Sequence, residues 1–144
     1  MNKVVEQEII DFIEKEFWKS NLNSNSDIFT VVGIDGDNCD EFLIKYGEKY
    51  AVDMNDFLWY FHYQKEASLT FNFGSMFSKN PHQRVKEIPI TPKMLAEFAN
   101  NKKWKIDYPE HKLPKYRYDM IINFFIFISI IVWLIVFLVK KYFN

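Results

Sequence analysis

The chain has 144 residues, 26% of them charged, a formal net charge of −1 and one cysteine, Cys39. A lone cysteine excludes an intrachain disulfide and a multi-cysteine metal site, and it fits a reducing compartment. The near-zero charge hides a polarity: residues 1–66 carry 14 acidic and 6 basic side chains, whereas residues 67–118 carry 4 acidic and 10 basic.

Asn2 to Lys19 reads as an amphipathic helix, with Val5, Ile9, Phe12, Ile13, Phe17 and Trp18 at three- and four-residue spacing. Ser20 to Asp27 is a polar loop, and Ile28 to Val32 is expected to be a short strand-like or extended segment broken by Gly33-Ile34-Asp35-Gly36. A second helix is expected to start near Asp37. Asp37, Asn38, Asp40 and Glu41 crowd its first turn, where acids complement the helix dipole and cap free N–H groups. Cys39, Phe42, Leu43 and Tyr46 form its apolar stripe.

Tyr50 to Asp53 is expected to be extended, with Asp53 or Asn55 capping the aromatic segment Phe57 to His62. Ser68 to Phe73 alternates like a strand, and with Ile88 and Ile90 around Pro89 it predicts a small hairpin or extended pair. Thr91-Pro92 is a strong helix start, Thr as N-cap and Pro at the first helical position. Met94, Leu95, Phe98 and Trp104 form that helix's buried stripe, and Lys105 to Lys115, with Pro109 and Pro114, reads as a stiff linker.

Met120 to Val139 is then almost wholly apolar, interrupted only by Asn123 and Ser129. At 1.5 Å per residue, about twenty residues cover roughly 30 Å, the thickness of a bilayer's hydrocarbon core. A buried core helix is the alternative, but such a helix does not need to be apolar on every face. The expected organisation is a soluble domain over 1–104, a basic and aromatic juxtamembrane linker over 105–118, a transmembrane helix over 119–139 and a short tail over 140–144. Trp104, Lys112, Lys115, Tyr116, Arg117 and Tyr118 before the span, and Lys140 and Lys141 after it, are the expected membrane-interface residues. The excess of positive charge on the N-terminal side predicts a single-pass, tail-anchored protein with its N-terminal domain in the cytoplasm. Met1 to Asp11 lacks the pattern of a signal peptide. Because anionic headgroups account for the basic half, nucleic acid is not an expected partner.

The stretch Val31-Val-Gly-Ile-Asp-Gly-Asp-Asn-Cys-Asp-Glu-Phe-Leu43, with Tyr50-Ala-Val-Asp53, Tyr60-Phe61 and Thr91-Pro-Lys-Met-Leu-Ala-Glu97 ending at Trp104, resembles a bacterial family catalogued as domain of unknown function 1493. The likeness covers about residues 5–104. That family's pattern in turn looks like acyl carrier proteins, whose Leu-Gly-x-Asp-Ser-Leu segment bears phosphopantetheine on serine. The resemblance therefore implies a small carrier-like helical fold. With the apolar run that lies outside it, the expected architecture is an α+β, mostly helical, carrier-like domain followed by one transmembrane helix, on the cytoplasmic face of a bacterial inner membrane. The resemblance also implies loss of the carrier chemistry. Gly36 stands where the serine would be, Ser20, Ser24, Ser26 and Ser75 lie in the wrong context, and Val31 replaces an acid. In carrier proteins an acidic second helix docks basic partners, and Asp35, Asp37, Asp40, Glu41 and Glu48 are the candidate partner-binding residues here. The plainer alternative is that these acids cap a helix and keep the surface soluble.

Other constellations stop short of chemistry. Counted from Asp35, an EF-hand's glycine position holds Asp40 and its glutamate position holds Tyr46. His62, His82 and His111 lack the i,i+3 or i,i+4 partners of a metal site. Cys39 sits on an apolar stripe with no basic neighbour to activate it. No P-loop, dinucleotide fingerprint or nucleophile elbow is present. The expected function is a non-enzymatic, cofactor-free, membrane-tethered interaction or regulatory protein that binds a basic protein partner. An immunity-type protein neutralising a toxin at the membrane, or a degenerate acyl carrier of lipid metabolism, are the alternatives.

Overall fold

The structure, a computed structural model, describes residues 3–64 and 73–143. Five α-helices follow in chain order among them: α1 (Glu6–Phe17), α2 (Ile28–Val32), α3 (Asp37–Tyr50), α4 (Pro92–Asn101) and α5 (Tyr118–Phe143). Short 3-10 turns at Trp59–Phe61, Phe73–Met76 and His82–Arg84 punctuate the connection from α3 to α4.

The core lies where α1, α3 and α4 meet. Ile9 and Ile13 of α1, Cys39, Phe42, Leu43 and Tyr46 of α3, and Leu95 and Phe98 of α4 are all buried there, at helical spacings on each element. Phe12 stacks on Phe42 at 5.6 Å, and Phe17 lies 5.3 Å from the same ring. The Tyr46 hydroxyl crosses the core to donate to the Leu95 carbonyl at 2.6 Å. Asn100 of α4 reaches the segment entering α1. Its Oδ1 accepts the Val4 N–H at 2.9 Å, and its Nδ2 donates to the Val4 carbonyl at 2.7 Å.

The expected start of α4 is present: Thr91 has extended backbone, its hydroxyl oxygen accepts the Met94 N–H at 3.2 Å, and Pro92 opens the helix. The expected α3 is also present, although its N-cap is Gly36, with no side-chain cap. Trp18 departs from the α1 stripe. It is the left-handed C-cap at φ 53° and is 94% exposed.

The α+β expectation fails among the described residues, which contain no strand. The β-type pairing there is an isolated parallel bridge, Asp53 with Lys103. Ile28–Val32 is helical rather than extended. Tertiary contacts override its β-branched composition, because one helical turn buries Ile28, Phe29 and Val32 together. Asp27 anchors that turn from outside, its carboxylate accepting the Thr30 hydroxyl and the Ile90 N–H. Residues 65–72, which hold most of the expected Ser68–Phe73 strand, lie outside the described residues, and Phe73 itself begins a 3-10 turn.

Trp104 is fully buried, against Phe98 at 4.8 Å and Phe57 at 4.9 Å. It belongs to the core and not to the membrane boundary, because the Asp53–Lys103 bridge draws it inward: its N–H donates to the Asp53 carbonyl at 2.9 Å. The chain stays on the domain after Trp104. The rings of Phe61 and Tyr108 are 4.8 Å apart, and those of Phe61 and His111 5.0 Å.

Candidate functional site

Helix α3 and the turn before it carry the candidate acids, and the structure divides them into two groups. Asp35 and Asp40 are engaged in holding the helix in place. One Asp35 oxygen accepts the Gly36 N–H at 2.9 Å and the Gln64 N–H at 3.0 Å, closing the turn that precedes α3. Gly36 adds a third link by donating to the Gln64 carbonyl at 3.0 Å. Its backbone, at φ 57° and ψ −129°, lies in a region that only glycine enters without strain. Asp40 accepts the hydroxyl of Tyr63, whose ring packs against Phe29 in the core.

Asp37, Glu41 and Glu48 are exposed. Together with Ile44, which is 61% exposed, they follow the 4, 3, 4 spacing of one helix face. The face is thus an acidic stripe with an apolar centre. Lys45 borders it, paired with Glu16 of α1 and with Glu41 at 3.1 Å. These pairs raise the Lys45 pKa through hydrogen bonds to Glu16 and then Glu41. Exposed pairs of this kind are screened by solvent and hold little stabilising energy, so Glu41 stays available to another cation.

Cys39 on α3 and His62 in the aromatic segment are both buried. Burial, followed by the neighbouring charges of Asp35, Asp40 and Asp27, pushes the Cys39 thiol up to about 12. A thiol so placed is protonated at neutral pH and inert as a nucleophile. His62 is 2% exposed and held down to about 4, chiefly by burial. Among the described residues, no group of three or more His, Cys, Asp or Glu side chains could hold a metal ion.

Tyr118 to Tyr142 is long and apolar enough to cross a membrane, with a mean hydropathy of 3.0 in its most apolar window and none of that window buried. Phe124, Phe127, Trp133 and Phe137 stand exposed along it, as a lipid-facing helix requires and a core helix does not. The Ser129 hydroxyl donates to the Phe125 carbonyl at 2.8 Å, so this polar group is satisfied within the helix. Of the expected interface residues, Lys112, Lys115, Tyr116 and Tyr118 are exposed before the span, and Lys140 and Lys141 at its far end. Arg117 is half-buried and grips Asp119 with two bonds, Nε to Oδ1 at 2.9 Å and Nη2 to Oδ2 at 2.7 Å.

A family model for proteins of unknown function, DUF1493, matches residues 1–107, the helical domain together with its Trp104 closure. The chain belongs to the DUF1493 family. No curated protein and no solved structure matches it, so the acyl-carrier likeness of this DUF1493 chain finds no support there. In the DUF1493 chain the family match ends at 107, one residue before Tyr108, and α5 lies beyond it.

Sequence reasoning did not find the contact between the turn Phe73–Met76 and the start of α5. Gly74 presses on the helix so closely that a Cβ there would lie 1.8 Å from the Asp119 carbonyl oxygen. The available signal was a glycine flanked by Phe73, Met76 and Phe77, masked by the strand-like alternation just before it.

Proposed function

We propose that this chain is a non-enzymatic, membrane-tethered interaction or regulatory protein that docks a basic partner on the exposed face of α3. The observation that carries the reading is the alignment of Asp37, Glu41 and Glu48 around exposed Ile44, while Asp35 and Asp40 brace the same helix from below. A mixed acidic and apolar stripe suits a basic, partly apolar surface, with charge steering the encounter and Ile44 adding buried area. The inert Cys39 and the inward-facing His62 support a binding rather than a catalytic role.

α5 supports tethering, which raises the effective concentration for a partner in the same bilayer. The basic residues before the span favour the domain on the cytoplasmic side. The reading needs no carrier chemistry and no cofactor.

The test is crosslinking and capture from native membranes with full-length protein, wild type against the triple reversal Asp37→Lys, Glu41→Lys and Glu48→Lys. Asp40 is left alone because its reversal would break the Tyr63 bond and confuse folding with binding. A specific basic partner that is lost in the reversed variant, with the domain still folded, supports the reading. Its identity separates a regulatory role from an immunity-type one. Undiminished capture by the reversed variant sinks the acidic-face idea.

A further inference from the structure

The Phe73–Phe77 turn packs on α5 and is followed by a bonded segment that reaches the domain through His82. Toward α5, Gly74 packs on the helix face from Asp119 to Asn123: a Cβ at Gly74 would lie 1.8 Å from the Asp119 oxygen and 3.1 Å from the Asn123 nitrogen. Asp119 is buried beneath this contact and gripped by Arg117. Within the turn, the Phe77 and Ser78 N–H groups both donate to the Gly74 carbonyl, at 3.0 and 2.9 Å. Arg84 closes the far side, donating from Nε to the Lys79 carbonyl at 2.8 Å and from Nη2 to the Ser78 hydroxyl at 3.2 Å. His82 Nδ1 then bonds the Tyr60 carbonyl at 3.0 Å.

This well-anchored turn presents apolar side chains outward. Phe73 is 49% exposed, Phe77 72% and Met76 80%. Exposed Lys79 and Arg84 follow at once in the chain. The turn meets α5 within its first two turns, about 8 Å of helix. Tyr116 and Tyr118 stand beside that point, at the level where a spanning helix passes from headgroups to hydrocarbon.

We propose that the Phe73–Phe77 turn is a second membrane contact, a wedge that seats Phe73, Met76 and Phe77 in the interfacial layer beside α5 while Lys79 and Arg84 meet anionic headgroups. The inference rests on α5 spanning a membrane. The occupant is a bilayer because the turn is continuous with a helix that itself requires one, and because aromatic rings flanked by cations are what the interface accepts. Packed on α5 and followed by His82, which meets the Tyr60 carbonyl, the wedge holds the domain close to the lipid surface instead of leaving it on a free stalk.

The test uses full-length protein in vesicles of phosphatidylcholine and phosphatidylglycerol. An environment-sensitive fluorophore is placed on Met76→Cys, Ile128→Cys or Glu48→Cys, and quenching by shallow and deep nitroxide lipids is compared. Native Cys39 is buried and stays unlabelled. The expected result is several-fold stronger shallow quenching at Met76 than at Glu48, with deep quenching at Ile128. Adding Gly74→Ala, which forces the turn off α5, should reduce the Met76 quenching several-fold and leave Ile128 unchanged.

Lipid quenching at Ile128 but none at Met76 overturns the wedge and leaves the anchor standing. No quenching at Ile128 overturns the anchor and the wedge with it. A Met76 label shielded from both lipid and water would place a second copy or another protein on the turn, and would equally overturn the proposal.

Discussion

The hydroxyl of Tyr108 sits 2.8 Å from Nε2 of His62, and the two side chains complete each other's hydrogen bonding. His62 Nδ1 lies 2.7 Å from the Ile88 carbonyl, which can only accept, so Nδ1 carries the ring proton and Nε2 is bare. Nε2 therefore accepts the Tyr108 O–H. The Tyr108 oxygen in turn accepts the Trp104 indole N–H at 2.9 Å and the Leu58 N–H at 3.3 Å. Every polar atom of the three side chains is used, and a residue from beyond the family match closes the core of the matched region.

This arrangement predicts acid sensitivity. A proton on Nε2 would find the Tyr108 oxygen already accepting two donors, and burial holds the folded-state pKa of His62 down to about 4 against an ordinary 6.5. Between those values the unfolded chain binds more protons than the folded one. Stability is therefore full above about pH 6.5, falls as the pH drops toward about 4 and is level below it, with a total loss of up to about 3 kcal/mol. Urea unfolding of the detergent-solubilised chain, followed by tryptophan fluorescence between pH 7 and 5, should show the decline. His62→Gln should flatten that slope, and an unchanged slope in the variant would assign the effect to other groups.

Tyr108→Phe removes one oxygen and strands three partners: the Trp104 N–H, the Leu58 N–H and His62 Nε2. A buried group left unpaired costs about 1–3 kcal/mol, so the variant should lose about 3 kcal/mol or more. The readout is a lower urea midpoint with an unchanged denaturant slope. A loss below about 1 kcal/mol would mean that water replaces the hydroxyl.

Thr91→Ala should cost about 1 kcal/mol, because the Met94 N–H loses its acceptor at the first turn of α4. Thr91→Ser keeps the oxygen and should recover most of the loss in the same unfolding experiment.

Legibility in the sequence followed the range of the interaction. Thr91-Pro92, the stripe of Cys39, Phe42, Leu43 and Tyr46, and the apolar run of α5 are local patterns, and each element formed where its pattern predicts. Ile28–Val32 was misread because its apolar, β-branched run suits a strand equally well, and only the Asp27 and Ile90 contacts decide for a helix. The acids of α3 were legible as a group. Their division was not, because Asp35 acts on Gln64 and Asp40 on Tyr63, partners more than 20 residues away. Trp104 was legible as buried with Phe98, whereas the seating of Tyr108 and of the Gly74 turn depends on still longer contacts, which carry no periodic signal.

Gly36 offers the sharpest check on the carrier resemblance. Substituting Gly36→Ser restores the hydroxyl that phosphopantetheine attachment requires, yet the backbone there is at φ 57° and ψ −129°. A Cβ in that region costs about 1–3 kcal/mol, so the strain should appear as lost stability or as a disturbed turn at Asp35 and Gln64. The prediction is that Gly36→Ser lowers the urea midpoint and that incubation with coenzyme A and a broad-specificity phosphopantetheinyl transferase adds no mass. Stable folding with quantitative modification would show a carrier turn intact apart from its serine, and would revive the degenerate-carrier reading over the interaction one.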